Sequence, residues 1–268
     1  MTLITRLSAT FTDATLPVLR KDPILPNSSL TGAGDRILYD FKSVGTWPSQ
    51  AATINIGDPV ANLADTSVVD SVASAITASY NSATGAVTTS NGDLDNTGLA
   101  LESAYDDIFA DTTHDFLFIA WIKPNNAPFR KQIQKGDGDG NSTEKTIDIW
   151  TYNGTPRIQL AGSNNTFATG DSFFFENRTN QVTQIAAVLS KSTGSWIGYG
   201  YQDGVSAGAT VALQAGSGAS ALFPLAGQTL EIINGPIYRV YVEDLTLSGR
   251  SHADVVAADW ARGNGRFS

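Results

Sequence analysis

Seven consecutive apolar residues, Phe116-Leu117-Phe118-Ile119-Ala120-Trp121-Ile122, run into Lys123-Pro124. The run is too short to span a bilayer, which needs roughly 18 residues or more. It is rich in aromatic and β-branched side chains and stops at a turn, so it predicts a buried strand. Similar short runs recur: Ile37 to Phe41, Thr146 to Tyr152, Arg157 to Leu160, Gln184 to Leu189, Ser195 to Tyr201, Thr229 to Ile233 and Ile237 to Val242. Turn residues divide them at Asn153-Gly154, Asp203-Gly204 and Asn234-Gly235-Pro236. Asn-Gly is a strong hairpin signal, and the Thr155-Pro156 after it predicts a lengthened loop. Residues 42–100 are polar and loop-rich, and Val68 to Tyr80 fits a short helix or a strand equally well. Ser251 to Arg262 predicts a short helix, capped by Ser251, with Val255, Val256 and Trp260 facing inward. No repeat of 20–50 residues is visible, which argues against a propeller or solenoid.

Many short strands and one short helix predict an all-β fold: an antiparallel jelly-roll β-sandwich with a short C-terminal helix. Phe118, Trp121, Ile149, Ile185, Ala187, Ile237 and Val240 are its expected core. The 268 residues are 41% hydrophobic and 16% charged, enough apolar material for a sizeable core. The 25 glycines suit short strands joined by many turns.

Residues 1–34 read as an extended N-terminal arm and residues 35–268 as the sandwich. Pro17, Pro23 and Pro26 break regular structure in the arm, and Thr31-Gly32-Ala33-Gly34 reads as a hinge. Leu16, Val18, Leu19 and Ile24 are too many apolar side chains for a solvated linker. They predict that the arm lies on another protein surface; a first strand packed on its own domain is the alternative.

The net charge of −9 repels phosphate backbones and anionic lipid, so neither nucleic acid nor membrane is the expected partner. There is no cysteine, which removes disulfides, thiolate metal sites and cysteine nucleophiles together. The first residues lack the continuous apolar stretch of a signal peptide, so a soluble chain is expected.

The segments from Phe116 onward resemble, in their order, the laminin-G-like, concanavalin A-like lectin/glucanase superfamily. The matching pieces are FLFIAWIKPN at 116–125, QKGDGDGN at 134–141, TIDIW at 146–150 and QIAAVLS at 184–190. YQDG at 201–204 and IINGPIYRVYVEDLTLSG at 232–249 complete the series. The likeness covers residues 99–262 and extends more loosely to YDF at 39–41 and NLADTS at 62–67. It implies a lectin-like sandwich. The proline-broken arm also resembles the starts of bacteriophage virion proteins. That resemblance implies a structural part of a tail, baseplate or capsid decoration, present in many copies or as a homo-oligomer. It would be assembled in the host cytoplasm and anchored to other virion proteins by the arm, with a cell-surface glycan as an outer partner. A free carbohydrate-binding lectin or adhesin is the alternative, and a glycan-cleaving enzyme a further one.

No catalytic set is expected. Glycosidases of that superfamily carry three acids alternating on one strand, so that paired carboxyl groups face one cleft. Glu144 and Asp148 come nearest, but Ile149, Trp150, Thr151 and Tyr152 follow where a third acid belongs. His114 and His252, the two histidines, have no nucleophile motif beside them and read as surface or capping residues. No cofactor fingerprint occurs. Asp137, Asp139 and Asn141 alternate, and Asp148 falls twelfth in the run, as in a calcium loop. Ser142 stands where such a loop needs glycine, and Gly-Asp-Gly-Asp-Gly is also a natural hairpin turn, so both readings stay open. Among the aromatics, Trp47 before Pro48 is the expected exposed ring and the candidate glycan contact.

Overall fold

The computed structural model describes residues 33–64, 69–74, 78–89, 99–101, 113–128, 130–136, 145–162, 172–192, 195–207, 211–212, 229–232 and 234–267. Leu16, Val18, Leu19 and Ile24 of the arm, and Asp137, Asp139 and Asn141 of the calcium-like run, lie outside them.

In chain order the strands begin β1 (Asp35–Asp40), β2 (Pro59–Ala61), β3 (Val69–Ser74), β4 (Ala78–Asn81), β5 (Ala86–Thr89) and β6 (Leu99–Leu101). Then come β7 (Phe116–Ile122), β8 (Arg130–Gly136), β9 (Lys145–Tyr152), β10 (Thr155–Gly162), β11 (Ser172–Phe174) and β12 (Thr183–Ser192). The last are β13 (Ser195–Gln202), β14 (Val205–Ser206), β15 (Val211–Ala212), β16 (Thr229–Ile232) and β17 (Ile237–Asp244). A single-turn helix α1 (Leu245–Ser248) and the helix α2 (His252–Gly263) follow. Within the Val68–Tyr80 stretch, where periodicity fits helix and strand equally well, the described residues belong to β3 and β4.

The strands form two antiparallel sheets. The first runs β14-β13-β12-β7-β17-β5-β4, with β1 also on β17 and β15 also on β13. The second runs β11-β10-β9-β8-β16-β6-β3-β2. Facing side chains of the two sheets make one apolar core that includes Phe118, Val240 and Ile185 from the first sheet and Ile133, Ile149 and Ile158 from the second. The fold is the antiparallel β-sandwich expected, with its helix at the C-terminal end.

The seven-residue apolar run is explained by burial on both faces of β7. Phe116, Phe118, Ala120 and Ile122 point between the sheets, while Leu117, Ile119 and Trp121 join a second core under α2. A strand covered on both sides has no reason to alternate. All seven expected core residues are buried, but Trp121 belongs to the layer under α2 and not to the space between the sheets. There it stacks on Trp260 at 5.3 Å, and Val255 and Val256 of the helix pack beside it. Burying a large apolar side chain is worth about 1.5–3 kcal/mol, so this small layer holds α2 firmly.

Ion pairs run through the same layer. A bulge in β17 between Ile237 and Arg239 sets Arg239 opposite Trp121, on the α2 side. Arg239 is 1% exposed. It donates to Asp40, its register partner on β1, at 3.0 and 2.6 Å, and to Asp259 of α2. Arg266 reaches the same Asp40 at 2.6 Å. Burial works to lower the Arg239 pKa, yet Asp40 and Asp259 together carry it above its ordinary value. Asp259 also accepts from Trp121 Nε1 at 2.6 Å and Gln184 Nε2 at 2.7 Å. Ser251 stands at the N-cap of α2, as expected, but its side chain makes no capping hydrogen bond.

Candidate functional site

The second sheet presents its outer face through the β9–β10 hairpin and the edge strand β11. Asn153 and Gly154 take positive φ values of 46° and 81°, and Tyr152 pairs with Thr155 across them. This is a tight two-residue turn of the type that Asn-Gly favours. The lengthened loop expected from Thr155-Pro156 does not form, because Thr155 and Pro156 are already paired in β10. Asn177 braces the turn, donating to the Asn153 carbonyl at 2.7 Å, and Arg178 N donates to the Gly154 carbonyl at 2.9 Å.

Register then fixes what this face displays. Trp150 lies opposite Arg157, and Arg157 opposite Phe174. Tyr152 and Phe174 are 59% and 60% exposed, while Trp150 is buried to 7%. The Arg157 guanidinium lies over the Phe174 ring, 4.9 Å from its centre, and burial pulls the Arg157 pKa down. Phe173 and Phe175, the neighbours of Phe174, go into the core. Tyr152 and Phe174 stand on strands either side of β10 and two register steps apart, roughly 12 Å by ordinary strand spacing and rise. Two outward rings with a guanidinium on the strand between them can stack on the apolar face of a sugar and hydrogen-bond its hydroxyls. The span suits a short oligosaccharide better than a single ring.

None of these three residues was singled out from the sequence. The signal was present in Phe173-Phe174-Phe175: in a strand, period two sends the middle ring to the opposite face from its neighbours. Tyr152 carried a weaker sign, its place immediately before a hairpin turn.

Trp47, the expected exposed ring, requires correction. It is 1% exposed and packs in the core, its ring 6.1 Å from Tyr80 and its Nε1 donating to the Ala51 carbonyl at 3.4 Å. The turn formed by Ser43, Thr46 and Trp47 folds inward, with Thr46 Oγ1 accepting from Asp40 N at 3.1 Å, and so carries the ring with it. Trp47 therefore offers no face for stacking a sugar.

Asp148 sits on β9 in register with Gln134 and Gln159, and Glu144 lies outside the described residues. Among the described residues, no group of three or more His, Asp or Glu could hold a metal ion. No helix among them is long and apolar enough to cross a membrane. His114 pairs through Nδ1 with Asp244 at 2.7 Å, and His252 Nδ1 shares a 2.6 Å hydrogen bond with the Tyr201 hydroxyl. Two acids, Asp35 and Glu243, do come together, but both side chains are 0% exposed. The Tyr241 hydroxyl lies between them, its pKa driven up first by burial and then by the two carboxylates. Arg250 pairs with both acids, at 2.6 Å from Asp35 and 2.7 Å from Glu243. This cluster ties β1 to β17 and is closed to a substrate.

No protein-family model matches the chain, and no curated protein matches it. Solved structures do resemble it. A receptor-binding domain superposes with a TM-score of 0.54 at 10% identity, over 81% of this chain and 52% of that one. The receptor-binding domain of botulinum neurotoxin mosaic serotype C/D gives 0.53 at 10% identity, over 86% and 51%. A Trypanosoma rangeli sialidase gives 0.54 at 12% identity, over 93% and 36%. The chain thus spans about half or less of the length of these proteins. At such identities the likeness is one of fold, and what the chain shares with them is the β-sandwich.

Proposed function

We propose that this chain is a non-catalytic carbohydrate-binding module whose binding face is the platform of Tyr152, Arg157 and Phe174. The observation that carries this reading is the pair of exposed rings on strands flanking β10, with the Arg157 guanidinium lying over one of them. Exposed aromatic side chains arranged on one rigid sheet face suit recognition better than stability. The burial of Asp35 and Glu243 supports a binding role over a hydrolytic one, because retaining hydrolysis needs two carboxyl groups open to a cleft. Two of the similar structures are receptor-binding domains, and a role in binding a cell-surface receptor or glycan agrees with that.

The test is a glycan array followed by titration calorimetry on the best ligand. Phe174→Ala and Tyr152→Ala should each weaken binding by about tenfold or more, since stacking of this kind is worth on the order of 1 kcal/mol beyond the area it buries. Both side chains are exposed, so the folded state should survive the change. Undiminished binding by the double variant would refute the platform.

The second reading, attachment to a bacteriophage particle, rests on the apolar side chains of the arm, Leu16, Val18, Leu19 and Ile24. Deletion of residues 2–30 should leave a folded sandwich that no longer incorporates into particles. Normal incorporation of the truncated chain would refute the anchor.

A further inference from the structure

A second group of polar and aromatic side chains gathers on the outer face of the first sheet, where α2 begins. Ser190 of β12 lies diagonally across from Tyr199 of β13, whose direct partner is Val188. Such diagonal neighbours on one sheet face are within reach of long side chains. Ser190 Oγ donates to Asp115 Oδ2 at 2.8 Å. The His252 ring stacks on Tyr199 with centres 5.0 Å apart and planes 28° apart, and meets Tyr201 edge-on at 5.6 Å. The 2.6 Å hydrogen bond between His252 Nδ1 and the Tyr201 hydroxyl locks that stack. Asp115, Ser190, Tyr199 and His252 are each only partly buried, so part of each faces solvent.

From this juxtaposition we propose that Asp115, Ser190, Tyr199 and His252 form a second carbohydrate subsite, for a neutral sugar, on the face opposite the Tyr152–Phe174 platform. Each residue has a distinct task. Tyr199 offers an aromatic surface to the apolar side of a sugar ring, and His252, held by Tyr201, keeps that surface in place. The Asp115 carboxylate accepts hydrogen bonds from sugar hydroxyls, and Ser190 orients it. A carboxylate is a poor neighbour for an acidic sugar, which sets the ligand class as neutral. The Asp115 backbone is itself fixed, its carbonyl accepting from Leu245 N at 2.8 Å and its N–H donating to Thr246 Oγ1 at 2.9 Å. The subsite does not depend on the platform. Two sites on opposite faces would let one chain bridge two glycan strands.

The experiment uses the full chain against an array of neutral and acidic oligosaccharides. The strongest neutral ligand is then titrated into protein carrying ¹⁵N-labelled histidine. The chain has two histidines, so His114→Gln assigns the His252 signals at once. The expected result is that the neutral glycan shifts the His252 signals. Asp115→Asn, which keeps an oxygen for Ser190, should weaken that response about tenfold, the scale of a lost charged hydrogen bond. Tyr199→Ala should abolish it, and Tyr152→Ala with Phe174→Ala should leave it unchanged. If the platform variants remove all binding while His252 never responds, the second subsite is refuted and the platform stands. If only acidic glycans bind, or none does, the second subsite is likewise refuted.

Discussion

Asp259→Ala tests how the helix α2 is held to the sandwich. The Asp259 carboxylate is fully buried and is a partner of Arg239, Trp121 Nε1 and Gln184 Nε2. Removing it leaves Arg239, itself 1% exposed, facing Asp40 alone, and Asp40 is already shared with Arg266. Breaking a buried pair in this way costs about 3–5 kcal/mol. Trp121 also loses the acceptor of its indole N–H, an orphaned donor worth about 1–3 kcal/mol. Gln184 is better placed, because its Nε2 still reaches the Val256 carbonyl at 3.1 Å. The expected loss is therefore about 4 kcal/mol or more, a large part of the roughly 5–15 kcal/mol that holds a typical protein folded. Guanidinium denaturation, followed by tryptophan fluorescence and far-ultraviolet circular dichroism, measures it. Asp259→Asn, which keeps an acceptor for Trp121, should lose less. Combining Asp259→Leu with Arg239→Leu should cost less than the sum of the two single changes, because no half-paired buried cation remains. A loss below about 1 kcal/mol for Asp259→Ala would show that the ion network does not hold α2 in place.

Two further outcomes follow from local geometry. Gly154→Ala should destabilise by about 1–3 kcal/mol and weaken binding at the platform, because Gly154 has φ +81° and a Cβ there would lie 1.7 Å from Thr179 Oγ1; a stable variant with unchanged affinity would contradict this. Stability should also fall as pH drops below about 6.5 through His252, whose pKa burial holds below its ordinary 6.5, against a smaller upward pull from Asp115. A folded-state pKa below the unfolded one means that the unfolded chain binds the proton more readily, so the contribution is complete above about pH 6.5 and is lost as pH falls through the folded value. Tyr199 and Tyr201 of β13 and Asp115 face this imidazole. Melting temperatures of the chain and of His252→Phe across that window check it: the variant should show the flatter profile, and identical profiles would rule His252 out.

Local chemistry in the sequence determined much of the framework. The run Phe116 to Ile122 could only be a buried strand; Asn153-Gly154 and Asp203-Gly204 carry the positive φ that two-residue hairpins demand; and Val255 with Val256 marked the inner face of α2. Each of these is a preference of neighbouring residues, and neighbouring residues are visible in a sequence. Tertiary structure alone decided which layer each face meets. Period two places Phe118 and Trp121 on opposite sides of β7, but only the docking of α2 gives Trp121 a core of its own. Trp47 looks exposed beside a proline and is buried because its turn closes over the space between the sheets. Arg239 and Asp40 meet across 199 residues, and Trp121 and Asp259 across 138. The platform likewise needed the register of β9, β10 and β11, since Tyr152 and Phe174 share a face only once Arg157 is paired between them. Contacts of this kind are set by how sheets pair and layers pack, and the free energy that selects them comes from surfaces distant in sequence.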